Sequence, residues 1–450
     1  MKQKRLIPIH GTTDNIFSEV RDSFRRNFTE GWEKAGAAFC VIHKGKVIVD
    51  LWGGYADREC YKEWKEDTIS TIFSCTKSVT AICFAILVDR GELDYSDKVT
   101  KYWPEFGQNG KQDITVEMVL SHTAGLPYFP GVKFTEEELI DNNKMSYIIE
   151  NLKTVYAPGS RTAYHALTFG WLTDQIFRRV DSAHRTVGQF FKEEIATKHY
   201  IDIHIGECSN EENRLARLFK CSPALVSREV AYDRSILKLA RYFYNPRGYF
   251  AAARRNLSLY GTDFTMFNNS DLRAVGQPAV NGIGSARAMA QLHQLVLDGT
   301  LLSKETFEKI KHPRNMTAFD HMIGEPQNKE HGFTYFKSPL QTWQFGHPGV
   351  GGQMIRADPD NDLIVAYLTN GMKTAGCEDH VFTFNRLQRK VYECLKRIPK
   401  FEFRSLRLSC IQILFSEGRK FQFLKIPNFG TFGISQIEIF KSAKDLLKTL

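Results

Sequence analysis

Two β-rich stretches, one near each end of the chain, set the terms of the fold. "AAFCVIHKGKVIVDLWGG" is two such runs around Lys44-Gly45, a hairpin signal. Much later, "GGQMIRADPDNDLIVAYLTN" again reads as strand, turn, strand, the turn being Asp358-Pro359-Asp360-Asn361-Asp362. Between them most periodic segments are helical. "SVTAICFAILVDRGELD" is an apolar helix ending near Gly91, and "TVEMVLSHTAGL" is a short helix stopped by Gly125. "LTFGWLTDQIFRRV", "DRSILKLARYFY" and "ARAMAQLHQLVLDG" are further helices, and "FNRLQRKVYECLKRI" is a closing amphipathic one. Strands from both ends with helices between them predict an α/β fold. Its antiparallel sheet is assembled from distant segments, flanked by helices, and carries a mainly helical insertion.

Composition narrows the function classes. Of the 450 residues 42% are hydrophobic and 25% charged, the balance of a soluble globular protein with ample chain for a core. The formal net charge of +9 comes without an arginine-rich stripe interleaved with aromatics, so it reads as a solvated basic surface and not a nucleic-acid site. The longest apolar stretch, "SVTAICFAILV", is about half of a membrane span. Nine cysteines are scattered singly, and "MKQKRLIPIHGTTDN" lacks the apolar run of a secretory signal. Free thiols in a reducing compartment follow, the cytosol first and, given the short basic N-terminus, the mitochondrion second. Residues 401–450, rich in Phe, Ile and basic residues, are set apart from 1–400 as an appendage without catalytic features.

The chemistry centres on "STIFSCTKSVTAICFAIL", where Ser74 and Lys77 are one helical turn apart. A serine hydroxyl is a weak nucleophile until a neighbour accepts its proton. Burial by Ile72, Phe73, Val79 and Ile82 would disfavour a charged Lys77 and make it a base. In the first turn of a helix, unpaired N–H groups also favour developing negative charge on the serine side. The spacing alone is cheap, because "SILK" puts Ser235 and Lys238 at the same interval. That copy reads as a structural serine in the middle of a helix.

Further motifs accompany the first copy in order. "FSCTKSVTA" is followed by "GELDYSDKVTKYWPEF", "ITVEMVLSHTAGLPY", "YAPGSRTAYHALTFGWLTDQI" and "FGHPGVGGQMIRADPDNDLIVAYLTN". Together they resemble the serine β-lactamase-like and penicillin-binding-protein-like hydrolases, and class C-like esterases in particular, over roughly residues 30–400. The resemblance implies a β-lactamase/transpeptidase-like fold and a serine hydrolase that works through an acyl-enzyme without cofactor or metal. It makes Ser74 the nucleophile, Lys77 its base and Tyr164 the second proton carrier. His347 stands where the family often has lysine, and the backbone N–H groups of Ser74 and Val350 form the oxyanion hole. Gly349, Gly351 and Gly352 would let the strand edge approach the substrate.

Two departures shape the expected substrate. Ala166 replaces an asparagine whose amide would hold Lys77, and His347-Pro348 replaces Lys-Thr, removing a fixed cation and a hydroxyl. Both point away from efficient β-lactam hydrolysis and toward a small ester or amide. His165, beside Tyr164, is a candidate to supply some of the missing amide's hydrogen bonding. Cys75 and His122 read as buried packing and hydrogen-bonding groups. His312, His321, His331 and His380 lack metal-ligand spacing. The alternative function is a binding or assembly protein that keeps the fold with weak catalysis or none, motivated by Ala166 and the C-terminal stretch.

Overall fold

The computed structural model describes residues 7–206, 209–256, 263–314, 317–374 and 380–398; the 401–450 stretch lies outside them. The first hairpin forms as its sequence predicts. Strands β1 (Ile9–Thr13), β2 (Gly36–His43) and β3 (Lys46–Asp57) lie together, and Lys44 and Gly45 both take positive φ (51° and 74°) in the turn between β2 and β3. Two positive-φ residues give the turn a twist that matches its strands. Two-residue strands follow at β4 (Lys62–Glu63), β5 (Ser70–Thr71), β6 (Ile203–His204) and β7 (Ile283–Gly284). The late strands are β8 (Ala318–Asp320), β9 (Glu325–Glu330), β10 (Phe333–Lys337), β11 (Trp343–Gly349), β12 (Gln353–Asp358) and β13 (Leu363–Thr369).

The main sheet is antiparallel in the order β1-β3-β2-β13-β12-β11-β10-β9-β8, with β4 paired to β3. An early and a late segment of the chain meet within it, where β13 pairs β2 in a register running from Leu363 opposite His43 to Thr369 opposite Ala37. Period-two alternation sends Phe39, Val41, Leu363, Val365 and Tyr367 to one face and Cys40, Ile42, Ile364, Ala366 and Leu368 to the other. The first face buries the helices Ser18–Thr29 and Phe382–Leu395. The second buries Thr76–Asp89 and Ala286–Leu297, and Thr168–Val180 packs on Thr76–Asp89 within the same core. Helix Thr76–Asp89 is apolar nearly all round because it is enclosed on every side. Among the described residues no helix is long and apolar enough to cross a membrane.

The sequence did not reveal a small second sheet, β5-β7-β6. It tethers the strand before Ser74 to the insertion, since Ser70 pairs Gly284 and Thr71 pairs Ile283.

Candidate active site

Ser74 stands in a 3₁₀ turn, Phe73–Cys75, that runs directly into helix Thr76–Asp89. Phe73 takes φ +45°, a left-handed conformation that costs a bulky L-residue about 1–2 kcal/mol. Packing holds it there, its ring edge-on to Phe264 and Phe267 at 6.2 and 5.4 Å. Thr76 Oγ1 donates to Phe73 O at 2.5 Å and accepts from Gly282 N–H at 3.1 Å, so the turn is also fastened to β7's approach. Ser74 is 6% exposed and Lys77 fully buried.

Lys77 Nζ lies 3.3 Å from Ser74 Oγ, 2.9 Å from Ala166 O and 3.0 Å from Ala279 O. Burial, and then the nearby Lys329 ammonium, hold its pKa well below the ordinary lysine range. A neutral amine has two N–H bonds and one lone pair. In that form the two carbonyls can take the former and leave the latter toward Ser74 Oγ. The contact expected from an asparagine amide is thus made by the main chain of Ala166.

Tyr164 is placed by its backbone. Thr162 bridges to Asp320, the Tyr164 N–H donates to Asp320 Oδ1 at 3.1 Å, and the Ala163 N–H donates to His122 O at 3.1 Å. His122 makes that contact from a left-handed turn, φ +64°, and its Nδ1 accepts the His165 N–H at 3.0 Å. The Tyr164 ring lies 4.7 Å from the His122 ring and 5.9 Å from that of His347. Lys77 Nζ is 4.8 Å from its centroid.

His165 does not take the missing amide's place. Its Nε2 accepts the Leu126 N–H at 3.1 Å and its Nδ1 faces Ala163 O at 2.7 Å, so the ring is spent on two loops. Burial pushes its pKa down to about 4, keeping it neutral.

His347 closes the site from β11. It is 2% exposed, and its Nδ1 lies 2.6 Å from Pro348 O, which fixes the proton there. Burial holds its pKa well below the usual histidine range, so it is an uncharged ring. Nε2 has no protein hydrogen-bond partner among the described residues. Strand and nucleophile turn are pinned together, because the Cys75 thiol donates to His347 O at 3.2 Å. A Cβ on Gly349 would lie 2.7 Å from Ile72 O, so only glycine permits this approach. Gly351 and Gly352 take φ +81° and +102° in the following turn, packed on Met372 and Lys373.

Ser74, Tyr164, His347, Pro348 and Val350 line one cavity of about 30 Å³, together with Ile323, Gln327, Lys329 and Thr334. Gly349 and Gly351 support its rim and are not among the lining residues. Gln327 and Lys329 also line a neighbouring cavity of about 170 Å³ with Ser121, Thr123, Thr162 and Glu330. Lys329 escaped the sequence reading altogether. It lies on "EPQNKE", a polar strand without apolar alternation, so only the charge itself was visible.

The second copy of the motif is built differently. Ser235 is the first residue of helix Ser235–Phe243, a correction to the mid-helix placement. Its hydroxyl donates to Asp233 Oδ1 at 2.6 Å, and Lys238 is exposed. His380 Nδ1 lies 2.5 Å from Asp233 and its Nε2 3.2 Å from Glu325. His331 is buried against Glu117 at 2.6 Å. Among the described residues no group of three or more His, Cys, Asp or Glu is arranged to hold a metal ion.

With this geometry in view, similarity to known proteins becomes specific. The sequence matches the family described as Beta-lactamase over residues 24–390. Esterase/beta-lactamase LipL of Mycobacterium tuberculosis is 30% identical over 375 residues, 80% of this chain and 83% of that protein. A penicillin-binding protein homologue from Caulobacter crescentus superposes with a TM-score of 0.71 at 29% identity, covering 86% of this chain and 100% of its own. A family VIII carboxylesterase matches with the same figures, TM-score 0.71, 29% identity and 86% and 100% coverage. The chain belongs to the Beta-lactamase family and is a serine hydrolase.

Proposed function

We propose that the chain hydrolyses small esters through an acyl-enzyme on Ser74. The observation that carries this reading is the placement of Lys77, whose Nζ lies within hydrogen-bond distance of two carbonyls and of Ser74 Oγ, so that the unprotonated amine would keep its lone pair for the serine. In the first step Ser74 Oγ attacks the ester carbonyl carbon while its proton passes to Lys77 Nζ. The oxyanion so formed faces the N–H groups of Ser74 and Val350, each donor being worth roughly a hundred- to a thousand-fold in rate. Tyr164, between Lys77 and the cavity, hands the proton to the departing alkoxide, which leaves as the alcohol. Water then attacks the acyl group by the reverse proton path, releasing the acid and restoring Ser74.

The substrate class follows from what the site lacks. His347 is uncharged and Pro348 has no hydroxyl, so nothing on β11 clamps a substrate carboxylate as a lactam would require. The names of LipL and of the family VIII carboxylesterase agree with an ester substrate. Ser74 opens on a cavity that shares Gln327 and Lys329 with its neighbour, and the two together offer room on either side of a scissile ester. Of the two motives for a binding or assembly protein with weak catalysis or none, the Ala166 carbonyl on Lys77 answers the first, and the second, the 401–450 stretch, lies outside the described residues.

The test is intact mass after incubation with a fluorophosphonate, alongside turnover of p-nitrophenyl acetate and of a chromogenic cephalosporin. One adduct on the wild type, none on Ser74→Ala, and ester turnover well above lactam turnover are expected. An unlabelled wild type would overturn the reading.

A further inference from the structure

The cation absent from β11 has a counterpart on β9. The Lys329 side chain is 4% exposed and lines the same cavity as Ser74, Tyr164 and His347. Its Nζ lies 2.6 Å from Asp320 Oδ2 and 4.8 Å from the centroid of the Tyr164 ring, the same separation that Lys77 Nζ keeps from that ring. Asp320 is fully buried, and its Oδ1 accepts the N–H groups of Tyr164, Met322 and Ile323 at 3.1, 2.8 and 3.0 Å. One carboxylate therefore fixes both the tyrosine's backbone and the ammonium against the tyrosine's ring.

We propose that Lys329, held by Asp320, is a positioning residue of this hydrolase, supplying from β9 the fixed positive charge that sets how Lys77 and Tyr164 share the Ser74 proton. The inference rests on the Ser74–Lys77–Tyr164 assignment. A second ammonium across the phenol ring repels a protonated Lys77, which keeps that amine available as a base. The same charge favours the phenolate form of Tyr164 at the moment it gives up its proton. The other groups around the pair leave this role to Lys329. From β8, Asp320 is an anion already satisfied by three N–H donors. From the loops beneath, His122 and His165 are buried with their pKa values depressed, and so is His347 on β11. Gln327 on β9 itself and Thr334 on β10 are neutral, and Glu330 accepts the Arg314 N–H at 2.7 Å.

The experiment is the pH profile of kcat/KM for a p-nitrophenyl ester, with folding followed by circular dichroism and Ser74 labelling by fluorophosphonate. Lys329→Gln keeps an N–H donor for Asp320 and removes only the charge. Its acidic limb is expected to move up by about one pH unit, because Lys77 then holds its proton more tightly. Lys329→Arg keeps the limb at the wild-type position. Lys329→Met combined with Asp320→Asn removes the buried pair as a unit, and it shifts the limb the same way by less. A limb that stays put in both folded charge-removing variants, with the rate merely lower at every pH, overturns the proposal and leaves Lys329 a packing residue. A wild type that takes no adduct overturns the serine assignment and this inference with it, whereas an adduct with an unmoved limb overturns this inference alone.

Discussion

Two serine–lysine pairs at the same spacing sit in this chain, and the structure gives them opposite surroundings. Ser74, in a turn with positive φ at Phe73, and Lys77, in the helix that follows, are buried within 3.3 Å of each other, and among the described residues no carboxylate hydrogen-bonds to that lysine. Ser235 opens a surface helix, gives its hydroxyl to Asp233, and leaves Lys238 in solvent. An exposed lysine remains an ammonium and cannot take a proton. Ser235 Oγ also lies 3.0 Å from His380 Nδ1, but that ring, held between Asp233 and Glu325 with its pKa raised to about 9, already carries its proton at neutral pH and cannot take the serine's. Spacing supplies proximity in both places. Burial and the choice of hydrogen-bond partners separate them, and on the proposed mechanism only the first has what the chemistry needs.

The largest expected effect breaks the first pair and spares the second. Ser74→Ala should lower kcat for a p-nitrophenyl ester by at least about a thousand-fold, while Ser235→Ala leaves it within about twofold. Equal losses would mean that the distinction drawn from burial is wrong. Next comes the base. Lys77→Met should cost about a hundred- to ten-thousand-fold, and Lys238→Met nothing measurable. The same argument fixes the sign of the pH dependence. On the proposed mechanism the active form has Lys77 unprotonated, and its folded pKa is depressed, so wild-type kcat/KM should rise with pH through that lowered value and reach its plateau below the ordinary lysine range. A profile still climbing at pH 10 would assign the limb to an unperturbed lysine instead.

How far the sequence foretold this contrast differs from residue to residue. Both end hairpins were legible because their turns, Lys44-Gly45 and the 358–362 stretch, separate runs dense in β-branched residues. Their pairing within the sheet then brings β11, with His347, beside the Ser74 turn. Tyr164 and His347 were named from motif order, and the structure places both on the Ser74 cavity. The Ala166 carbonyl was invisible, since every residue carries one and nothing in a side chain says where it points. His165 looked available until its two nitrogens were found on Leu126 and Ala163. Strand β9 was missed because "EPQNKE" has neither alternation nor β-branched residues, and it forms by pairing with β10, where Lys329 stands opposite Thr334. Strands of two residues such as β5 and β7 hold no period to detect.

A smaller effect separates what holds each serine. The Cys75 thiol, buried and with its pKa raised by burial, ties the Ser74 turn to His347 O. Cys75→Ala should lower stability by about 1 kcal/mol and turnover by less than tenfold. Iodoacetamide should leave the folded wild-type enzyme active, because a protonated, enclosed thiol does not alkylate. Rapid inactivation traced to Cys75 would show that the turn opens far more than its packing implies.

The smallest effect belongs to the second pair's surroundings. His380 lies between Asp233, which also holds Ser235, and Glu325 at the start of β9. Its hydrogen bonds to Glu325 and Asp233 outweigh the opposing effect of partial burial and raise its pKa from 6.5 to about 9. A histidine that binds its proton more tightly when folded stabilises the fold fully below its unfolded pKa, and loses that contribution as pH rises through the folded one. The window is therefore pH 6.5 to about 9. His380→Gln should lower Tm by about 2 °C or less at pH 6, and the gap from wild type should close by pH 9.5. Ser74 labelling should be unaffected at either pH, because this ion cluster bears on how β9 is anchored and not on the nucleophile. A gap that persists unchanged at pH 9.5 would mean that the ring holds this junction by packing. Asp233 and Glu325 would then need another account of why two carboxylates converge on one side chain.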